Sequence, residues 1–266
     1  MNKPFCPPAE NTLLAALPPE TAAELVRQSE RIALRDGELL YRPAQPGRYV
    51  YFPCSALVSL EFHGSDGSMA ELAVVGRDGL VGVPAMLGVR ATHHAVVQSS
   101  GVALRMRVEV LKRRAQADPA VRELVDAHTH VLLAQIAQTS ACKSLHPLSN
   151  RLCRWLLVCA DRLDSVEVRV TQDQLARLLG VRRESVNHAT SVLQAQGCLR
   201  IGRGQMHIID AARLEESACE CLGLIRGDHA GERLPGSGTR CSDAAPSSRG
   251  RRSVAPESRP SKSAIC

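Results

Sequence analysis

Residues 171–197, TQDQLARLLGVRRESVNHATSVLQAQG, constrain the fold more than any other stretch. They read as two amphipathic helices around a tight turn. Thr171 is an N-cap, and Gln174 three residues on completes a capping box. Leu175, Leu178 and Leu179 give the first helix an apolar face. Gly180 ends it, because glycine enters the left-handed conformation of a C-cap at little cost. Val181 and Arg182 lead into a second helix carrying Val186, Ala189, Val192 and Leu193, which Gly197 closes. Ala176 leaves room for the helices to approach. The pattern fits a helix-turn-helix, whose second helix enters the DNA major groove.

A plain helical hairpin buried in a core has the same apolar spacing. Three features favour the DNA reader. The second helix begins with Arg182-Arg183-Glu184-Ser185, followed by Asn187 and His188, a set that can hydrogen-bond guanine, cytosine, adenine and phosphate. Residues 198–210 follow as two short apolar strands around Gly202-Arg203-Gly204, the pattern of a β-hairpin wing. The charge also lies on this side. The chain carries +6, yet residues 1–140 balance 14 basic against 14 acidic side chains, so residues 141–266 hold the whole excess. A neutral first half and a basic second half suit a sensor joined to a nucleic-acid reader. With aromatics at only 3%, base stacking as in single-strand binders is disfavoured.

Upstream, residues 11–29 read as a short amphipathic helix on Leu13, Leu14, Leu17, Leu25 and Val26, broken at Pro18-Pro19. From 31 to 106 the chain alternates short apolar runs with turn signals. The runs are Ile32–Leu34, Leu39–Tyr41, Tyr49–Phe52, Leu57–Phe62, Met69–Val75, Ala95–Gln98 and Val102–Met106. The turns are Asp36-Gly37, Pro46-Gly47, Asp66-Gly67 and Asp78-Gly79, and Asp-Gly between apolar runs is a strong hairpin signal. Strands at this spacing predict a jelly-roll-like sandwich. Helix resumes near Val108, and Asp118-Pro119 starts a new one. Along it Val121, Leu124, Val125, His128, Val131, Leu132, Gln135 and Ile136 keep close to a 3.5-residue period, as a coiled-coil seam does. Between a sensor and a DNA reader that needs a two-fold partner, this stripe is read as a dimerisation face, with one core face as the alternative. His146-Pro147 is a candidate hinge, and Trp155 the core anchor of the helix over residues 148–163.

The chain resembles the Crp/Fnr family of bacterial transcription regulators over roughly residues 11–222. The likeness is strongest at Leu175–Gly180, Arg183-Glu184-Ser185-Val186 and Ile208-Ile209-Asp210, and looser at Gly37-Glu38, Tyr51-Phe52, Asp66-Gly67 and Val81-Gly82. It implies an α+β architecture. A cyclic-nucleotide-binding-like β-roll would span residues 11–117, a dimerisation helix 118–142 and a winged helix-turn-helix 147–222. Residues 224–266, rich in Ser, Gly, Pro and Arg, are expected to be a disordered tail. The resemblance puts Arg183 and Glu184 at base-reading positions and His188 where the family commonly has a second arginine. Ser185 and Thr171 suit phosphate contacts, as does Arg203 in the wing. The candidate DNA-binding set is thus Thr171, Arg182, Arg183, Glu184, Ser185, Asn187, His188 and Arg203.

The sensor departs from the cyclic-AMP binders. Their Gly-Glu pair for the ribose is Gly82-Val83 here, and the phosphate region reads Thr92-His93-His94-Ala95 without a placed arginine unless Arg90 shifts in. A buried phosphate without its charge partner is costly, so cyclic AMP is not the expected effector. The iron–sulfur members carry an N-terminal cysteine cluster, whereas only Cys6 lies there in this chain, with Cys54 the next cysteine.

The expected partners are double-stranded DNA with an inverted repeat, a second copy of the chain and RNA polymerase, with the small-molecule effector unknown. No cofactor and no metal site is expected. His93 and His94 are neighbours on a predicted strand and point to opposite faces, so they cannot chelate together. His128 reads as a packed neutral histidine, with a pH-sensing role as the lesser alternative. Cys219 and Cys221 form a redox or metal pair only with partners the sequence does not identify. The C-terminal Arg249, Arg251 and Arg252 read as solvated. No apolar segment follows Lys3, and no run reaches the roughly 18 apolar residues of a membrane span, so a cytoplasmic protein is expected. The competing reading from another class is a metal-dependent cupin-like enzyme.

Overall fold

The computed structural model describes residues 10–226. Two short helices, α1 (Thr12–Ala15) and α2 (Pro19–Arg27), precede the sheets, parted at Pro18-Pro19 as the sequence indicates. Asn11 caps α1 and is itself buried. Its side chain accepts from Leu14 N and donates to Pro53 O and Gly79 O.

Seven strands follow: β1 (Glu30–Leu34), β2 (Leu39–Tyr41), β3 (Tyr49–Pro53), β4 (Leu57–His63), β5 (Met69–Val75), β6 (His94–Ser99) and β7 (Gly101–Arg107). Each apolar run read from the sequence is one of these strands. They form two antiparallel sheets, ordered β1-β7-β3 and β2-β6-β4-β5. Gly37 and Gly67, at φ +76° and +83°, take the left-handed conformation their turns require. Leu34, Tyr51, Val58, Leu60, Val75 and Val97 fill the space between the sheets. The β3–β7 part of the first sheet is covered on both sides. Val50, Phe52, Leu104 and Met106 alternate with inward neighbours and pack instead on α1, α2, α4 (Val108–Ala117) and the start of α5 (Pro119–Leu145). A helical turn, α3 (Val83–Met86), joins β5 to β6.

Asp118 caps α5 by accepting from Ala120 N, with Pro119 in the first turn. The apolar stripe of α5 has a different role from the one its period suggests. Val121, Val125, His128, Leu132 and Gln135 are buried within a single chain, against its own β-roll. Leu124 and Ile136 are half-buried on the same clusters. Of the eight candidate dimerisation residues, Val131 alone is exposed. The stripe is the core face of α5. His128 packs as a neutral side chain, with its Nε2 at the backbone of Leu80 and its pKa lowered mainly by burial.

The second half comprises α6 (Leu148–Leu163), β8 (Glu167–Val168), α7 (Gln172–Leu179), α8 (Arg183–Ala195), β9 (Leu199–Gly202), β10 (Gln205–Ile208), α9 (Ala211–Glu216) and α10 (Cys221–Arg226). The wing is a three-stranded sheet, β8-β10-β9, one strand more than the hairpin read from the sequence. Residues 224–226 belong to α10, so the expected tail cannot start at 224. The rest of it, with Arg249, Arg251 and Arg252, lies outside the described residues, as does Cys6.

Trp155 is buried and anchors α6, as expected, and it also reaches the sensor. Its Nε1 donates to Glu71 Oε1 on β5 at 2.8 Å. Arg162 adds bonds to Val74 O and Asp78. Gly76 is required here, since a Cβ would lie 2.5 Å from Arg162 Cβ. Burial pushes the Glu71 carboxyl up from 4.5 to about 7, against the opposing pull of the Trp155 bond, Arg154 and Lys143.

Candidate nucleic-acid interface

The helix-turn-helix is built from the signals in the sequence. Thr171 Oγ1 accepts from Gln174 N at 3.1 Å, and Gln174 Oε1 accepts from Thr171 N at 2.9 Å, which completes the capping box. Gly180 has φ +66°, and Val181 N returns to Ala176 O. Leu175, Ala176, Leu179, Val186 and Leu193 form the buried seam between α7 and α8. A polar pin lies beside it: buried Thr190 donates back to Val186 O and accepts from Gln172 Nε2. The sequence reading missed this pin, since a threonine in a helix also fits a solvated position.

Arg182, Arg183, Glu184, Ser185 and His188 are exposed at the N-terminal end of α8. Among the described residues, no hydrogen bond or ion pair engages the side chains of Arg182, Arg183, Glu184 or His188. Asn187 is half-buried, and its Oδ1 has no hydrogen-bond partner. Arg203 is exposed at the wing tip, where Gly204 takes φ +75°. One cleft of about 170 Å³ brings Thr171, Gln172 and Arg183 together with Ile201, Gly204 and Gln205 of the wing. Glu184, Ser185 and His188 line a separate groove on the α6 side of α8. The candidate residues thus surround the tip of α8 rather than lying on one strip.

In the sensor, Gly82 takes φ +114° and Val83 is buried as α3 begins. The adjoining cavity of about 10 Å³ shares Tyr41, Gln45, Gly47 and Tyr49 with an open cleft of about 390 Å³ that Arg48 also lines. Arg90 is exposed. His93 and His94 diverge: His93 Nε2 meets Tyr41 Oη at 2.9 Å, whereas the His94 ring stacks on His63. Burial lowers the pKa of both rings, with their mutual repulsion adding to the shift at His93. A buried group that the sequence could not assemble, Cys142, His146, Cys219 and Cys221, lies where α5 meets α10.

Comparison with known proteins agrees with this architecture. Residues 31–118 match the cyclic nucleotide-binding domain, and residues 150–217 match the Crp-like helix-turn-helix domain. The transcriptional regulator SdrP of Thermus thermophilus is 25% identical over 197 residues, covering 71% of this chain and 94% of its own. A CRP-like cAMP-activated global transcriptional regulator of Mycobacterium tuberculosis is 25% identical over 212 residues, covering 75% and 93%. Among solved structures, FixK2 from Bradyrhizobium japonicum shares the fold with a TM-score of 0.63 at 21% identity, over 72% of this chain and 98% of its own. A β-roll of the cyclic-nucleotide-binding type, joined by a long helix to a Crp-like helix-turn-helix domain, defines a DNA-binding transcription regulator. The chain belongs to the Crp/Fnr family. It is a regulator and not an enzyme, and the cupin-like alternative finds no support in these relatives. None of the described helices is long and apolar enough to cross a membrane.

Proposed function

We propose that the protein is a cytoplasmic homodimer that binds an inverted repeat through α8 and the wing, under an effector other than cyclic AMP. The observation that carries this reading is the exposed tip of α8, where Arg183 shares a cleft with the wing and has no partner among the described residues. A guanidinium held free at that end can bind guanine O6 and N7 together, and Glu184 can accept from cytosine N4. Thr171, Arg182, Ser185 and Arg203 flank these as phosphate contacts, with Asn187 and His188 one turn further along α8.

The dimer uses the outer face of α5. Ala127, Val131 and Ala134 are exposed together there, on one flank of the buried stripe, and Val131 retains 49% of its surface. Small side chains on such a face let a second helix approach closely. RNA polymerase is the further protein partner that the family implies.

Against cyclic AMP stand buried Val83 and the exposed Arg90. The test is selection from a library of inverted repeats by the purified chain, with and without cyclic AMP. The expected outcome is enrichment of one repeat with half-sites about 34 Å apart, unaltered by cyclic AMP. Enrichment only with cyclic AMP would overturn the effector reading, and no enrichment at all would sink the DNA-reading one.

A further inference from the structure

The geometry points to a zinc site formed by Cys142, His146, Cys219 and Cys221, which staples the end of α5 to the turn between α9 and α10. Cys142 lies in the last turn of α5 and His146 caps that helix four residues on, and Cys219 and Cys221 flank Glu220, 73 residues or more further along. One donor atom from each of the four lies within 4.8 Å of all the others. Cys142 Sγ and Cys219 Sγ are 3.5 Å apart, and Cys221 Sγ is 3.4 Å from His146 Nδ1. Two sulfurs each about 2.3 Å from a tetrahedral zinc lie roughly 3.8 Å apart, and a disulfide would draw them to about 2.0 Å. The donors therefore stand near the separation that one tetrahedral ion imposes. An iron–sulfur cluster, with several metal atoms between its thiolates, would hold them further apart. Three thiolates and an imidazole are a structural zinc set.

The surroundings fit the same ion. His146 directs Nδ1 at Cys221, while its Nε2 faces Glu220 Oε1 at 3.0 Å. With Nε2 protonated, it donates to that carboxylate, leaving Nδ1 free for the metal, the arrangement that commonly orients ligating histidines. Gln138 Nε2 donates to Cys221 Sγ. Filling the site expels three thiol protons. Three thiolates around a doubly charged ion leave one net negative charge, and the buried guanidiniums of Arg151 and Arg154 both act electrostatically on Cys142. Their Nε atoms have no hydrogen-bond partner among the described residues. Cys142, Cys219 and Cys221 are buried together and His146 is largely covered, so the site is closed, as structural zinc sites are.

The site spans the His146-Pro147 break between α5 and the helix-turn-helix domain, so the ion braces that joint. The site does not depend on how DNA is read. The test is metal analysis of the full chain purified under reducing conditions, followed by cobalt substitution. The expected result is one zinc per chain and, with cobalt, the d–d bands of a tetrahedral thiolate site. Cys142→Ser with Cys219→Ser should abolish both, whereas Cys153→Ser, a buried thiol in the helix-turn-helix core, should keep them. Glu220→Gln, an exposed change that leaves the fold intact, should weaken zinc in chelator competition by roughly tenfold or more. Removal of zinc should speed amide exchange around residues 142–147. The proposal is overturned if the reduced chain takes up no zinc, if the double variant retains it, or if Glu220→Gln binds it unchanged. A Cys142–Cys219 disulfide in protein isolated without oxygen would overturn it too.

Discussion

Arg183 and Arg203 differ in what holds them. Arg183 is the first residue of α8, fixed by the buried seam beneath it, whereas Arg203 rides on a two-residue hairpin tip. In DNA competition assays, Arg183→Ala should cost about 1–3 kcal/mol per half-site and relax the preference at one base. Arg203→Ala should weaken all sequences alike and reduce the salt slope by roughly one per subunit. Opposite outcomes would mean that the two roles are reversed. Glu71 supplies a prediction of another kind. Its pKa lies near 7 in the folded chain against 4.5 for an ordinary glutamate, so the folded state keeps a proton that the unfolded state has released. Its contribution to stability is full below 4.5 and is lost as pH rises through about 7, by on the order of 3 kcal/mol. His128 acts the other way, since a lowered histidine pKa removes stability as pH falls below 6.5. Denaturant unfolding of Glu71→Gln across this range should show the loss with rising pH removed and the opposite effect of His93, His94 and His128 left bare. An unchanged pH profile would place Glu71 in a wetter setting than its burial indicates.

At the scale of elements, α5 teaches most about reading a sequence. Its 3.5-residue period identifies which side chains share a face, but a period does not say what covers that face. The chain's own β-roll and a second helix demand the same apolar residues. Val125→Asp or Leu132→Asp therefore strikes the folded core, and either should cost several kcal/mol and leave the chain poorly folded. Val131→Asp with Ala134→Asp should keep the fold, judged by circular dichroism, and turn the dimer into a monomer on sedimentation. A dimer that survives this pair would mean that another surface holds it. The outer face was hard to read because alanines at 127 and 134 carry little hydrophobic signal. The strands were legible because Asp-Gly turns bound them, and the helix-turn-helix because its caps are side chains with fixed spacing. β8 was not, since two residues leave no period to detect. The cysteine cluster was hidden for a different reason: two donors at the end of α5 meet two others only after the whole helix-turn-helix domain has folded back.

Across the whole molecule, sensor and reader share one continuous apolar cluster, in which Leu57 and Val74 of the β-roll join the core of the helix-turn-helix domain. Lys143 Nζ also donates to Glu71 O, so backbone, carboxyl and indole meet at a single point of β5. Replacing Trp155 by Phe keeps most of the volume but strips Glu71 of one donor, which should loosen the two halves by about 1–3 kcal/mol in denaturant unfolding. A cost near zero would mean that water takes the place of the indole. Trp155 is also the only tryptophan in the chain. Its emission therefore comes from one place, the joint between sensing and reading. Any effector or operator that draws α6 away from β5 would move that single fluorophore into wetter surroundings and shift its emission to longer wavelengths, so an unlabelled solution of this protein can be screened for its unknown ligand by colour alone.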